Sequence, residues 1–365
     1  MVGAAPAMNQ LVLVTLTPGM TLYKYRLVSK IGAGSFGEVW LAHDLAVQRE
    51  YAVKILQPGV SVDERLREAQ IGNRLEHNNL VYVHQADVVP VSGEHAVILA
   101  MDYQPNGSVE TLANPAGYLP LPAVLRIARD ILQGLEYLHA RSFYHNDIKP
   151  GNILLGSQQQ AMLSDYGITG VSSNGAPVAA PNAYVLHLAP EVLATGNIGV
   201  SSDIFQVGMT LARLLIHLDH LRSVRASIGP AQYEQDIASG KLLQAKDFGC
   251  HIPAAVRRVI LKAVHPDPVQ RYTSALEMRR ALEKLNYPGH WTVDAAGSEV
   301  GICRTHEFSY LVSPVAGGKF DVTCSKRNVV SGNNQRVTQF CKRGVTQKQA
   351  EKVVADFKQF VVTGK

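Results

Sequence analysis

The residues best suited to chemistry lie in one short stretch, residues 144–155. It carries a carboxylate at Asp147, an ammonium at Lys149 and an amide at Asn152. Asp147 can accept a proton from a hydroxyl nucleophile, Lys149 can neutralise charge on a transferring phosphoryl group, and Asn152 can offer oxygen to a metal ion. Phosphoryl transfer relies chiefly on such positioning and electrostatics. Any one of these residues alone is more often an ordinary loop residue. Their spacing, and the Ile-Leu-Leu that follows, favour a catalytic loop.

A glycine-rich segment near the start of the chain is the second candidate site. A strand predicted from residue 25 leads into residues 32–37, Gly-Ala-Gly-Ser-Phe-Gly. Such glycines let backbone N–H groups approach a phosphate. Dinucleotide-binding folds use the same spacing, but there a helix follows the third glycine. Here residues 38–42 are strand-like, so we predict a hairpin that covers a nucleotide.

Lys54 lies inside the next predicted strand, residues 51–56. A lysine in an apolar strand must reach solvent or meet an anion. Because it follows the glycine hairpin, we interpret Lys54 as a ligand of the α- and β-phosphates. A helix predicted over residues 63–75 offers two acidic partners, Glu64 and Glu68, and we favour Glu68.

Further elements must position the remaining groups. A buried strand over residues 95–101 runs into a Pro- and Gly-containing linker, where extended backbone can contact an adenine. A strongly periodic helix over residues 121–141 leads into the catalytic stretch. Asp165 ends a short strand thirteen residues after Asn152. Together the two residues could complete a site of hard oxygen ligands for magnesium.

Residues from about 25 to 285 resemble the eukaryotic-type Ser/Thr protein kinase family, and the general look is similar to its bacterial members. The motifs occur in family order: the glycine loop at 32–39, Val53-Lys54, Glu68, the catalytic loop at 145–152, Asp165-Tyr166-Gly167, Ala189-Pro190-Glu191, Asp203 and Arg271. The resemblance implies an α+β, bilobal fold with a small β-rich N-lobe and a larger helical C-lobe. It also implies ATP and Mg²⁺ as cofactors, and transfer of the γ-phosphoryl group to Ser or Thr hydroxyls of protein substrates.

The resemblance implies roles by matched position. Asp147 is the expected base with Lys149 beside it, and Asn152 and Asp165 are the expected metal ligands. The expected ATP-binding residues are Ile31, Gly32, Ala33, Gly34, Gly37, Val39, Ala52, Lys54, Glu68, Met101, Asp102 and Tyr103. Glu191 and Arg271 are expected to form a buried, bidentate ion pair.

Three positions depart from the family pattern. Asn146 replaces the usual Arg before Asp147, so the cation that binds a phosphorylated activation loop is missing, and we hypothesise activity without loop phosphorylation. Tyr166 replaces a common Phe. Tyr184 occupies the place of a Thr that usually bonds the catalytic Asp and Lys. Two alternatives stay open: a nucleotide-binding pseudokinase or scaffold, and a small-molecule kinase of related fold.

The chain after residue 289 has a different character. It holds eleven Lys or Arg against six Asp or Glu, which is the whole net charge of +5. Strand-like segments at 307–312, 319–324 and 335–340 precede an amphipathic helix with a Thr-x-x-Gln capping box at its start. We predict a small β-meander covered by a helix, with a protein-interaction or regulatory role. The basic excess suggests a possible anionic partner. Cys303, His306, Cys324 and Cys341 could hold zinc, but buried core cysteines are favoured.

We therefore predict an N-terminal arm at 1–21, a kinase-like domain at 22–286 and an accessory domain at 290–365. The sequence has no apolar run long enough to span a membrane and no secretory signal at its start. None of its four cysteines forms a Cys-x-x-Cys pair. We expect a cytoplasmic protein with reduced thiols.

Overall fold

The computed structural model describes residues 15–34, 37–56, 62, 66, 70–91, 94–114, 116–166, 169–180 and 184–364. Its contacts divide the chain into two units. The first runs up to Asn106 and includes Leu154–Thr169. The second comprises Gly107–Ile153 and everything from Gly170 onward.

The first unit is built on an antiparallel sheet of six strands in the order β1-β2-β3-β4-β6-β5. Its strands are β1 (Thr21–Leu22), β2 (Tyr25–Gly34), β3 (Gly37–Asp44), β4 (Arg49–Leu56), β5 (Val83–Val91) and β6 (Glu94–Met101). Alternate residues of β4 point to opposite faces, as strand geometry requires. Val53 and Ile55 therefore pack into one core cluster and Leu56 into another. The strand-like segment at 11–16 lies mostly outside the described residues. Of the helix predicted at 63–75, residues 63–65 and 67–69 lie outside them, and residues 66 and 70–72 are helical.

The second unit begins with helices. They are α1 (Leu121–His139), α2 (Pro190–Thr195), α3 (Val200–Ile216), α4 (His220–Ile228), α5 (Pro230–Ala238), α6 (Ala254–Ala263) and α7 (Ala275–Glu283). The predicted helix at 121–141 is thus confirmed as α1, which ends two residues early. α3 is buried along nearly its whole length, so its polar side chains must find partners inside the protein.

Short strands lie between these helices along the chain, and two of them, β8 and β9, fall in the first unit except for Ile153. They are β7 (Phe143–Tyr144), β8 (Ile153–Leu155), β9 (Ala161–Leu163), β10 (Gly170–Val171), β11 (Val178–Ala179) and β12 (Asn197–Ile198). β10 pairs with β7, and β11 pairs with β12. Both pairings fix the ends of the segment between residues 170 and 179.

The chain ends in a second antiparallel sheet with a helix on one face. The elements are β13 (Gly289–Val293), β14 (Glu299–Cys303), β15 (His306–Val315), β16 (Lys319–Asn328), β17 (Asn334–Arg336), β18 (Lys342–Val345) and α8 (Gln347–Thr363). The predicted meander and helix are confirmed. The strand predicted at 335–340 is wrong beyond Arg336, because Thr338–Phe340 forms a 3₁₀ turn. That turn brings the Phe340 ring against Phe357 and Phe360 of α8.

The terminal helix is bound tightly to its sheet. Thr346 and Gln349 form the predicted capping box. Lys358 donates to both carboxylate oxygens of Glu299 at 2.7 Å, and the Trp291 indole donates to the Lys358 carbonyl at 3.1 Å. The accessory sheet and helix also contact the preceding helical part of the second unit, where Gln359 of α8 donates to the Cys250 carbonyl.

These elements confirm the predicted fold class: a small β-rich part, a larger helical part, and a β-meander with a helix. Within the described ranges, no helix combines the length and the apolar composition that a membrane crossing requires.

Candidate active site

The candidate catalytic stretch, residues 144–155, begins at β7, and side chains of α3 form hydrogen bonds with its backbone. Asp203, fully buried in α3, accepts hydrogen bonds from the backbone N–H of His145 at 2.9 Å and of Asn146 at 2.8 Å. Its carboxylate also contacts His139 Nε2 at 2.8 Å. Asn146 has φ of 63°, a conformation that Asn tolerates better than most residues. A buried carboxylate thus fixes the turn before Asp147.

Two more side chains of α3 bind the same loop. Gln206 accepts from the Ile148 N–H at 2.9 Å and donates to the Asn146 carbonyl at 2.8 Å. The Thr210 hydroxyl donates to the Ile148 carbonyl at 3.0 Å. Asp203, Gln206 and Thr210 are spaced i, i+3 and i+7, so they share one face of the helix. Together they fix the loop backbone on both sides of Asp147.

The three predicted catalytic-loop side chains lie together. Lys149 Nζ donates to both oxygens of Asp147, at 2.9 and 2.8 Å. Asn152 Nδ2 donates to Asp147 Oδ2 at 2.8 Å and to its backbone carbonyl at 3.0 Å. Asp147 is buried, so these charge-assisted bonds are strong. The arrangement holds an oriented carboxylate beside a cation and an amide.

In the first unit, the structure brings Lys54 and Asp165 together. Lys54 Nζ lies 2.9 Å from Asp165 Oδ1, and the lysine side chain is buried. Asp165 follows β9 with φ of 68°, a strained value for a residue other than glycine and one that often marks functional positions. Glu68, which we predicted to pair with Lys54, lies outside the described residues.

The predicted nucleotide-binding residues of the sheet are aligned by strand register. Gly32 pairs with Val39, Val39 pairs with Lys54, and Ala52 pairs with Met101. Gly37 has φ of 151°, and a Cβ there would lie 2.2 Å from the Ile55 carbonyl oxygen. Only glycine fits at the start of β3. Ile31 and Ala33 are exposed on β2, and Gly34 ends that strand.

The structure describes both linker residues predicted to contact ATP, Asp102 and Tyr103, and Asp102 already makes hydrogen bonds to other residues. Asp102 donates its N–H to the Tyr82 carbonyl at 3.1 Å, and its carboxylate contacts His84 Nε2 at 2.8 Å. The backbone N–H and one carboxylate oxygen of Asp102 are therefore already bound within the first unit. Tyr103 is half-buried just after it.

The segment around Tyr184 lies against the catalytic loop. The Lys149 ammonium lies 4.6 Å from the centre of the Tyr184 ring. His187 is fully buried; its Nδ1–H donates to the Ile148 carbonyl at 2.7 Å, and its Nε2 contacts Arg213 Nη1 at 3.3 Å. Burial, and then the Arg213 charge, lower the pKa of His187 to about 3. His187 is therefore neutral and its tautomer is set by these two contacts.

The expected Glu191–Arg271 ion pair is present. Arg271 Nη1 and Nη2 lie 2.7 and 2.8 Å from the two oxygens of Glu191. The guanidinium also donates to the backbone carbonyls of His265, Ser201 and Pro266. It is a bidentate pair whose arginine side chain is completely buried.

Sequence reasoning named Asp203 as a motif residue but gave it no role, and it missed Gln206 and Thr210. The available signal was three polar residues with helical spacing on a helix that is mostly apolar. For the four candidate zinc ligands, the described residues hold no group of three or more His, Cys, Asp or Glu placed to bind a metal ion. Cys324 is buried, as favoured, whereas Cys303 and Cys341 are only partly buried.

Comparison with known proteins agrees with this geometry. The sequence matches the protein kinase domain family over residues 25–284. It is 31% identical over 293 residues to the serine/threonine-protein kinase PknJ of Mycobacterium bovis, covering 75% of this chain and 47% of that protein. It is 30% identical over 269 residues to PrkC of Bacillus subtilis, covering 70% of this chain and 39% of that protein.

A third relative, PknB of Mycobacterium leprae, is 25% identical over 291 residues, which cover 74% of this chain and 44% of PknB. The chain thus spans less than half the length of these curated relatives. The matched region contains both groups of candidate site residues. The chain therefore belongs to the eukaryotic-type Ser/Thr protein kinase family, as its motifs indicated.

Proposed function

We propose that this chain is a Ser/Thr protein kinase that transfers the γ-phosphoryl group of ATP to protein hydroxyls. The observation that carries the proposal is the arrangement at Asp147. Its carboxylate is oriented by Lys149 and Asn152, on a backbone fixed by the buried α3. A general base must lie within hydrogen-bond reach of the hydroxyl that it deprotonates, and a fixed carboxylate orientation favours this role. The names of the bacterial relatives support the same activity.

In the proposed reaction, Asp147 accepts the proton of a Ser or Thr hydroxyl while the hydroxyl oxygen forms a bond to the γ-phosphorus of ATP. The bond from that phosphorus to the ADP oxygen breaks at the same time. Lys149 stabilises the negative charge on the transferring group. These roles need positioning and charge rather than covalent chemistry by the protein.

The residues present fit ATP and a magnesium ion. Lys54 provides a buried cation suited to phosphate oxygens. Both amide hydrogens of Asn152 are directed to Asp147, which turns its amide oxygen away from that carboxylate. Asn152 and the Asp165 carboxylate are the hard oxygen donors that Mg²⁺ prefers, and a bound Mg²⁺ would neutralise phosphate charge.

The test is a transfer assay with ATP and Mg²⁺ that compares two classes of acceptor. We expect label on the protein itself or on a generic basic protein, located at Ser or Thr by mass spectrometry, and none on a panel of small-molecule alcohols. Label on the small molecules alone would replace the proposal with a small-molecule kinase. ATP binding with no transfer to any acceptor would replace it with a nucleotide-binding pseudokinase.

A further inference from the structure

The contact between Lys149 and Tyr184 gives a function to one departure from the family pattern, the tyrosine at a position where the family usually has Thr. The Lys149 ammonium lies over the Tyr184 ring at 4.6 Å and bonds both oxygens of Asp147. The cation is therefore bound between a carboxylate and the negative face of an aromatic ring. Asp147 and Lys149 are the pair that a Thr at position 184 would bond in the family pattern.

Several contacts hold the Tyr184 ring in place. Tyr184 is the N-cap residue of the 3₁₀ turn Val185–His187, and its ring makes an edge contact with His187 at 5.2 Å between centroids. His187 is in turn bonded to the catalytic loop through the Ile148 carbonyl. The His187 contact and the Lys149 contact therefore restrict the Tyr184 ring.

We propose that Tyr184 is a positioning residue that holds the Lys149 ammonium against Asp147 through a cation–π contact. This inference rests on the proposed kinase function. A lysine side chain has a flexible stem and about 2 kcal/mol of rotamer entropy, and the Lys149 side chain is one-quarter exposed. The Tyr184 face restricts that motion without using the hydrogen-bonding capacity of Asp147. A threonine hydroxyl would compete for that capacity.

The experiment compares three substitutions of Tyr184 in the full chain, with kcat and the KM for ATP measured for each. Tyr184→Leu removes the aromatic face, and we expect kcat to fall on the order of 3- to 30-fold with little change in the KM for ATP. Tyr184→Phe keeps the face and is expected to retain most of the rate. Tyr184→Thr installs the residue of the family pattern and is expected to recover part of the loss.

The matched control is Tyr137→Leu, which removes a cation–π contact between Tyr137 of α1 and Arg141, two residues beyond the end of that helix. We expect no change in kcat there. A kcat for Tyr184→Leu equal to that of the unsubstituted chain would overturn the proposal. So would a loss in Tyr184→Phe as large as in Tyr184→Leu, because the hydroxyl rather than the ring face would then be responsible.

A second readout separates failure of this inference from failure of the proposed function. The rate of Lys149 acylation by an amine-reactive ester, followed by peptide mass spectrometry, needs no turnover. We expect severalfold faster acylation in Tyr184→Leu and little change in Tyr184→Phe. If the unsubstituted chain transfers no phosphate but this pattern holds, the contact stands and the kinase assignment fails. Equal acylation in all variants refutes the contact.

Discussion

Removing Glu191 should destabilise the protein far more than removing a surface ion-pair partner. Arg271 is completely buried, and Glu191 is its only carboxylate partner within the described residues. Glu191→Ala leaves the guanidinium with three backbone carbonyls and no counter-charge. Breaking a buried pair in this way costs about 3–5 kcal/mol of unfolding free energy. For a structural unit of this size, that corresponds to a fall in Tm on the order of 10 °C.

The comparison uses Lys262→Ala as the matched control, because Lys262 and Glu277 form a pair in which both side chains are 41% exposed. Exposed pairs contribute at most about 1 kcal/mol. Calorimetry or urea unfolding of both variants measures the difference. The double variant Glu191→Met with Arg271→Met, which removes both charges, should be more stable than Glu191→Ala. The reasoning is refuted if Glu191→Ala loses no more stability than Lys262→Ala, or if the double variant is the least stable.

Three further predictions concern pH, thiol reactivity and the activation loop. The pKa of His187 is about 3 when folded and about 6.5 when unfolded, so its neutral form stabilises the fold above pH 6.5 and that stability is lost as pH falls. Between pH 7 and pH 5, the unfolding free energy of His187→Gln should therefore fall by about 2 kcal/mol less than that of the unsubstituted chain. Urea unfolding midpoints that fall equally with pH in the two proteins would contradict this. Burial, and then the nearby Cys341, raise the pKa of the Cys324 thiol to about 12. Iodoacetamide at pH 8 should therefore modify the exposed Cys250 long before Cys324. Equal modification rates in the folded protein would contradict the burial of the Cys324 thiol. Phosphorylation of the activation loop should be dispensable, because contacts already fix that segment: the Tyr144 hydroxyl donates to the Gly175 carbonyl at 2.6 Å, and β10 and β11 are paired. The triple alanine variant of Thr169, Ser172 and Ser173 should therefore remain active in a transfer assay. Complete loss of transfer would refute this.

The grouping of Asp147, Lys149 and Asn152 could be predicted from the sequence because the information is local. The acid, cation and amide lie within six positions, and their side chains meet in the structure. The Glu191–Arg271 pair, eighty residues apart, was predictable only through the family resemblance. The hydrogen bonds from α3 to the loop span about sixty residues, and no local pattern states which buried polar side chain meets which backbone group.

The C-terminal sheet and helix show a different limit. β13 and β14 were not predicted, because each contains a glycine, and glycine is depleted in strands. The structure gives the reason for both glycines. A Cβ at Gly289 would lie 2.1 Å from the Val361 carbonyl oxygen, and one at Gly301 would lie 2.9 Å from the Trp291 ring. The close approach of α8 and Trp291 to the sheet requires these glycines, and that packing cannot be read from strand propensity.

The most direct test of the central claim is the initial rate of γ-phosphate transfer from ATP with Mg²⁺, for the unsubstituted chain and for Asp147→Asn. Asparagine keeps the size of the side chain but removes its ability to accept a proton. We predict measurable transfer by the unsubstituted chain and a loss of about 100-fold or more in the variant, with ATP affinity retained in both. Asp356→Asn, which alters an exposed carboxylate of α8, should match the unsubstituted chain. Equal rates for Asp147→Asn and the unsubstituted chain would contradict the account.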